Sequence, residues 1–140
     1  MMAKEKTTIK MVIPIVPKAQ RRARAGNGRV FKDPRQKAEE RTIEAFLVEH
    51  RPGSPLDGPV SLVVNAMLPI PKSWSKKKAM AKSGEIWPTG RPDLDNITKN
   101  IKDCLTRMRF WEDDNQVVLL NARKSYAENP RWEVEVKEVE

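Results

Sequence analysis

Apolar and polar positions alternate along residues 7–16, where Ile9, Met11, Ile13 and Ile15 fall on one side and Lys10, Val12 and Pro14 on the other. That period predicts a β-strand. Pro14 has no N–H to give a ladder, which predicts an edge strand or one that ends there. Residues 17–29 lose the period and read as a basic loop, with a turn signal at Gly26-Asn27-Gly28. Lys32-Asp33-Pro34 opens a helix near 33–50, with Asp33 as N-cap and Pro34 in the first helical position. Ala38, Ile43, Ala45, Phe46 and Leu47 give it a rough apolar face, and Arg51-Pro52-Gly53 stops it. Residues 59–69 are rich in β-branched side chains and predict a second strand. A short basic helix follows within 72–82, capped by Ser73 or Ser75, and then a Gly- and Pro-rich loop over 83–92.

The strongest helical pattern is next. Leu94, Ile97, Ile101, Cys104, Leu105 and Met108 recur at i, i+3, i+7, i+10, i+11 and i+14, one apolar stripe on a helix near 94–108. Beyond an acidic turn, residues 116–126 and 131–139 read as strands. Trp132, Val134 and Val136 alternate with Glu133, Glu135 and Lys137 in the second. Asn129-Pro130 lies between these runs, and the expectation is that they pair with each other antiparallel. Together the elements predict a two-layer α+β domain over residues 1–140, a mixed or antiparallel sheet with helices packed on it.

Composition narrows the chemistry. A chain of 140 residues suits one domain that buries a core without staples. Its 27 Lys and Arg against 19 Asp and Glu give a net charge of +8, which suits a polyanionic partner and equally a soluble protein with a basic surface. With one cysteine, Cys104, and one histidine, His50, internal disulfides and Cys- or His-rich metal sites are excluded. A metal would sit on oxygen, as Mg²⁺, Mn²⁺ or Ca²⁺ do. No apolar run is long enough to span a membrane and the N-terminus has no signal-peptide core, so the expected compartment is cytoplasmic.

The candidate chemistry lies in Pro92-Asp93-Leu94-Asp95-Asn96-Ile97-Thr98-Lys99. Inside a helix, Asp93 and Asp95 would stand about 200° apart. They serve one site only if Asp93 precedes the helix or caps it. Asp95 and Lys99 share a face at i, i+4, with Asp103 next in register. Taken alone these residues suit a cap and an ordinary Asp95–Lys99 surface pair. A second acidic cluster, Glu112-Asp113-Asp114, follows the helix. The helix spans roughly 20 Å, so Asp114 lies at its far end unless the chain folds back. Carboxylates that hold Mg²⁺ beside a lysine are what phosphodiester cleavage needs.

These residues resemble a known family. The Asp93-Leu94-Asp95-Asn96-x-x-Lys99 motif, followed by Phe110-Trp111-Glu112-Asp113-Asp114-Asn115-Gln116-Val117-Val118, is similar to the signature of RusA-type Holliday junction resolvases. The likeness extends in order to residues 13–24, 28–31 and 69–74. It implies that Asp93, Asp95 and Asp114 are metal-binding catalytic aspartates and that Lys99 is an essential lysine. Asp113 takes a secondary role. It also implies a Mg²⁺-dependent enzyme, with Mn²⁺ as a substitute and no nucleotide cofactor. As a homodimer it would nick opposed strands of a four-way DNA junction in bacterial or phage-infected cells. The chain departs from the pattern at Pro17-Lys18-Ala19-Gln20-Arg21-Arg22 and in a longer, more basic stretch over 76–90. Both departures bear on DNA-sequence preference.

Lys18, Arg21, Arg22, Arg24, Lys76, Lys77 and Lys78 form two cationic clusters, on basic loops near 18–29 and 72–90. They suit phosphate contacts, or else a solvated charge run. Among the tryptophans, Trp132 and Trp111 read as packing, whereas Trp74 and Trp87 flank the basic segment and are candidates for DNA contact. Cys104 reads as core, and His50 as a partner for the dipole of a helix C-terminus. Two other classes compete: a non-catalytic DNA-binding module on the same fold, and a calcium or protein-interaction domain. No EF-hand spacing is present and the charge is basic, which argues against the latter.

Overall fold

The computed structural model describes residues 6–140. In chain order the elements are β1 (Thr8–Ile13), β2 (Arg24–Gly26), β3 (Arg29–Phe31), α1 (Pro34–Leu47), β4 (Val60–Pro69), α2 (Lys77–Lys82), α3 (Leu94–Arg107), β5 (Val117–Ala127) and β6 (Arg131–Glu138). Short 3₁₀ turns follow α1 at Val48–His50 and precede β5 at Asp114–Gln116.

The main sheet runs β1-β6-β4-β5, with β1–β6 and β4–β6 antiparallel and β4–β5 parallel. In β4 every second residue from Val60 to Leu68 is buried, and Met11 and Ile13 of β1 and Trp132, Val134 and Val136 of β6 extend the same face. Onto this face pack Ile43 and Leu47 of α1 and Ile97, Ile101, Cys104 and Leu105 of α3. The result is the expected two-layer α+β arrangement with a mixed sheet. β1 stops at Ile13, just before Pro14, and lies at an edge.

Four local expectations are corrected. β5 and β6 do not pair, because β4 lies between them. A tight hairpin there would need positive φ at its central residues, which Pro130 cannot adopt. The link instead crosses the end of β4, which takes a partner on each side. Second, part of the basic loop is a hairpin: Arg24 pairs with Phe31 and Gly26 with Arg29 around Asn27 (φ 50°) and Gly28 (φ 72°). These two positive φ values are what an Asn-Gly two-residue turn supplies. Third, neither Ser73 nor Ser75 caps α2. Lys76 stands at its N-cap with helical backbone angles and no side-chain cap bond. Fourth, Ala38 and Ala45 are exposed, and the buried stripe of α1 is Gln36, Glu40, Ile43 and Leu47.

The polar half of that stripe ties the two helices to the basic loop. Gln36 Nε2 donates to Asn100 Oδ1 at 2.8 Å and to Glu40 Oε1 at 3.1 Å. Gln36 Oε1 accepts from the Arg21 N–H at 2.8 Å, and Asn100 Nδ2 donates to the Lys18 carbonyl at 3.1 Å. Lys32 and Arg107 both pair with Glu40, so its buried carboxylate is neutralised. Asp33 caps α1 as expected, accepting from the Arg35 N–H at 2.9 Å.

Candidate active site

Asp93 is the N-cap of α3. Its backbone is extended (φ −69°, ψ 133°), and its Oδ1 accepts from the N–H groups of Asp95 at 2.8 Å and Asn96 at 3.3 Å. It therefore stands before the helix, as service to a site shared with Asp95 requires. Asp95 lies exposed in the first turn, with Lys99 one turn on. The ordinary Asp95–Lys99 pair does not form. Lys99 Nζ is 3.7 Å from Asp103 Oδ2 instead, and Gln20 Nε2 donates to that same oxygen at 2.6 Å.

Asp114 opens the 3₁₀ turn that follows the far end of α3. The chain turns at Arg109 (φ 62°), and buried Phe110 and Trp111 hold it there. Trp111 Nε1 donates to Thr106 Oγ1 at 2.8 Å, and the Leu56 N–H donates to the Phe110 carbonyl at 2.8 Å. Asp113 then accepts from the Asn115 N–H at 2.8 Å, while Gln116 Oε1 accepts from the N–H groups of Glu112 and Asp113. Gln116 Nε2 donates to the carbonyls of Leu56 and Gly58. The acid beside Asp114 thus shapes the turn that presents it.

Asp95, Lys99, Lys102, Asp103 and Asp114 line one cavity of about 540 Å³ between α3 and β5. Asp93 is not among its lining residues. Carboxylate oxygens next to a lysine are the donor set of a hard divalent cation. Among the described residues, no three acidic, histidine or cysteine side chains stand close enough to hold one ion together. Mg²⁺ does not require such a cage: it takes one or two carboxylates, keeps several waters and uses substrate phosphates for the rest. The residues present fit it on those terms.

The cations divide into tethered and free. Lys18 and Arg21 both reach Glu39, at 3.5 and 3.1 Å. Lys77 Nζ lies 5.4 Å from the centroid of the Trp74 ring, and Lys78 reaches Glu128 at 3.8 Å. Arg22, Arg24 and Lys76 are exposed, with no carboxylate partner among the described residues. Trp111 and Trp132 are buried, Trp87 is exposed, and Trp74 packs edge-on against Tyr126. Cys104 is core, and burial pushes its thiol up to about 12.

One residue beside the site was not singled out from the sequence. Lys124 Nζ donates to the carbonyls of Gly90 at 2.6 Å and Pro92 at 2.9 Å, clasping the segment that leads into Asp93 onto β5. Its signal is positional. Leu120, Ala122, Lys124 and Tyr126 alternate onto the helix-facing side of β5, beside Leu62, Val64, Ala66 and Leu68 of β4. A lysine on that side needs acceptors within the fold.

Comparison with known proteins bears directly on this arrangement. The family model described as "Endodeoxyribonuclease RusA" matches residues 13–137. The chain belongs to the RusA endodeoxyribonuclease family. The match spans α1, β4, α3, β5, most of β6 and all four residues of the candidate site, and begins at the last residue of β1. A relative from Bacillus subtilis (strain 168), named "Uncharacterized protein YqaN", is 41% identical over 138 residues, covering 94% of this chain and 96% of its own. A second relative, "Crossover junction endodeoxyribonuclease rusA" of Lactococcus phage r1t, is 49% identical over 53 residues, 38% of this chain and 40% of its own. No helix among the described residues is long and apolar enough to cross a membrane.

Proposed function

We propose that this endodeoxyribonuclease resolves four-way DNA junctions by paired, Mg²⁺-dependent hydrolysis of phosphodiester bonds on opposed strands. The observation that carries the reading is the shared cavity of Asp95, Lys99 and Asp114, in a chain of net charge +8 with two cationic segments ahead of it in sequence. The printed name of the phage relative, a crossover junction endodeoxyribonuclease, supports the branched substrate.

Asp95 and Asp114 would hold Mg²⁺, with Mn²⁺ as a substitute, and Asp93, whose Oδ2 makes no hydrogen bond, would join them from the helix start. When bound, the cation supplies an activated water and neutralises charge that builds on the phosphate. The chain does the rest. Lys99 adds a fixed positive charge at the cavity wall, where it favours the charge gained by the reacting phosphate. Lys124 keeps the segment before Asp93 from drifting off the sheet, which preserves the spacing of the carboxylates. Arg22, Arg24 and Lys76 have no internal partner and are the cations most available for phosphates.

Paired nicks on a two-fold symmetric junction call for two sites related by a dyad, hence a homodimer. The free edge of β5 supports this. Val118, Leu119 and Leu120 are 57%, 56% and 52% exposed in succession on an edge strand, a surface that proteins normally cover. Light scattering at micromolar concentration should return a dimer, and Leu119→Asp should shift it toward monomer.

The deciding experiment incubates the protein with a mobile four-way junction or linear duplex, in Mg²⁺ or in EDTA. Symmetric nicks on the junction that require Mg²⁺ are expected. Binding without cleavage in Mg²⁺ would favour the second reading, a DNA-binding module without catalysis.

A further inference from the structure

A second cavity, of about 550 Å³, opens on the other side of the 90–92 segment, beyond the ends of β4 and β5. Its walls are apolar and stiff. Five of the residues that line it are prolines, and Leu68 and Tyr126 supply the strand ends. Tyr126 is backed by Trp74, whose ring meets it edge-on at a centroid distance of 5.4 Å. The charged residues at this cavity, Lys18, Arg21 and Arg91, are all cations, and no carboxylate lines it. The neighbouring catalytic cavity carries three acids. The two cavities share β5 as a common wall, with Ala122 in one, Tyr126 in the other and the Lys124 clasp between them. Four residues of strand separate those walls by about 13 Å.

We infer that this cavity receives one unstacked nucleobase of the DNA strand whose phosphate is presented to Asp95, Lys99 and Asp114. The inference rests on the DNA-cleaving function proposed above and adds a subsite to it. Rigid apolar walls with an aromatic ring suit the face of any base, and stacking of this kind tolerates sequence. Arg91, the one of the three cations without a carboxylate partner among the described residues, suits a phosphate beside that base. The cavity is of the size and apolar character that bound small groups occupy. A four-way junction provides the nucleotide cheaply, because base pairs at the crossover have weakened stacking to lose. The lining prolines have little freedom to give up on binding, so the subsite is preformed.

The test is a cycle between protein and DNA. Synthetic junctions carry a single abasic residue at each position around the crossover, and binding is measured by anisotropy in EDTA and in Ca²⁺. The proteins are the wild type, Ala19→Phe, which fills the cavity from its rim, and Tyr126→Ala, which removes its aromatic wall. Thermal melts report whether each variant is folded, and the second decides if the first is not. At one position, base removal should weaken the wild type about tenfold and the folded variants less than twofold. Equal penalties in all three proteins, on junctions that the wild type binds and cuts, would overturn the subsite and leave the proposed function standing. A wild type that does not bind junctions would remove both. If Ala19→Phe binds the junction normally but halves the molecular mass, the cavity is a contact between subunits and the base assignment is wrong.

Discussion

Gln36 and Asn100, 64 residues apart, meet by a 2.8 Å hydrogen bond between the two helices, with both side chains buried. Each also holds the basic segment: Gln36 through the Arg21 N–H, Asn100 through the Lys18 carbonyl. The network therefore positions a cationic loop against the helix that carries Asp95 and Lys99. Replacing Asn100 with Leu removes one of the two acceptors of the Gln36 amide and leaves the Lys18 carbonyl without its donor. A loss of about 1–3 kcal/mol is expected in urea unfolding. A double variant, Gln36→Leu with Asn100→Leu, should cost less than the sum of the two single changes, because their mutual hydrogen bond is then counted once.

Substitution at the catalytic cavity should separate binding from chemistry. Asp95→Asn keeps the shape and removes a charge that opposes DNA phosphate, so junction binding should hold or tighten while cleavage falls about a hundredfold or more. Raising Mg²⁺ should restore part of that loss by mass action. Lys99→Ala should also abolish cleavage, without rescue by Mg²⁺. Normal cutting by Asp95→Asn at low Mg²⁺ would show this carboxylate to be part of the helix start and no ligand.

Salt dependence should distinguish the tethered cations from the free ones. Arg22→Ala and Arg24→Ala should each lower the slope of log affinity against log salt by about 1 on a junction. Arg21→Ala is different, because its guanidinium is held by Glu39 at 3.1 Å. It should weaken the loop as well as the contact, seen as a lower melting temperature. An unchanged slope in the first two variants would place the hairpin away from DNA.

Acid should loosen α1 at its first turn. The Arg35 guanidinium, assisted by the Arg35 N–H, holds the Asp33 carboxyl at about 2, below its ordinary 3.8. A depressed carboxylate contributes stability that is complete above the ordinary value and disappears as pH falls through the depressed one. In Asp33→Asn the cap remains and the charge is gone. Its melting temperature should lie below that of the wild type by a constant amount above about pH 5, and the gap should close as pH falls toward 2. A gap that is unchanged at low pH would assign the effect to packing alone.

Much of this molecule is legible from local pattern, and the illegible parts share a cause. The α3 stripe, β4 and the Asp93 cap follow from periodicity and helix-end chemistry, both of which act over a few residues. The position of β4 between β5 and β6 does not, because strand order depends on which edges remain free once the helices are packed. The Asn27-Gly28 hairpin was within reach, since both residue types point to its positive φ values. Gln36 and Asn100 gave no sign, because a buried amide looks the same in sequence as a surface one. The turn that carries Asp114 rests on Phe110, Trp111 and Gln116 engaging Leu56, Gly58 and Thr106, contacts that spacing alone does not disclose.

The strand order also governs how the enzyme comes into being. β6 lies between β1 and β4, so the slot it fills stays open until residues 131–138 have been made. A chain interrupted before Arg131 leaves β1 without a neighbour and the buried face of β4 without Trp132, Val134 and Val136. Asp93, Asp95, Lys99 and Asp114 would all exist by then, on a scaffold unable to hold them. Joining ends so distant in sequence makes assembly slow and all-or-none. The sheet behind the candidate site is therefore closed last, by the strand made after all four of those residues.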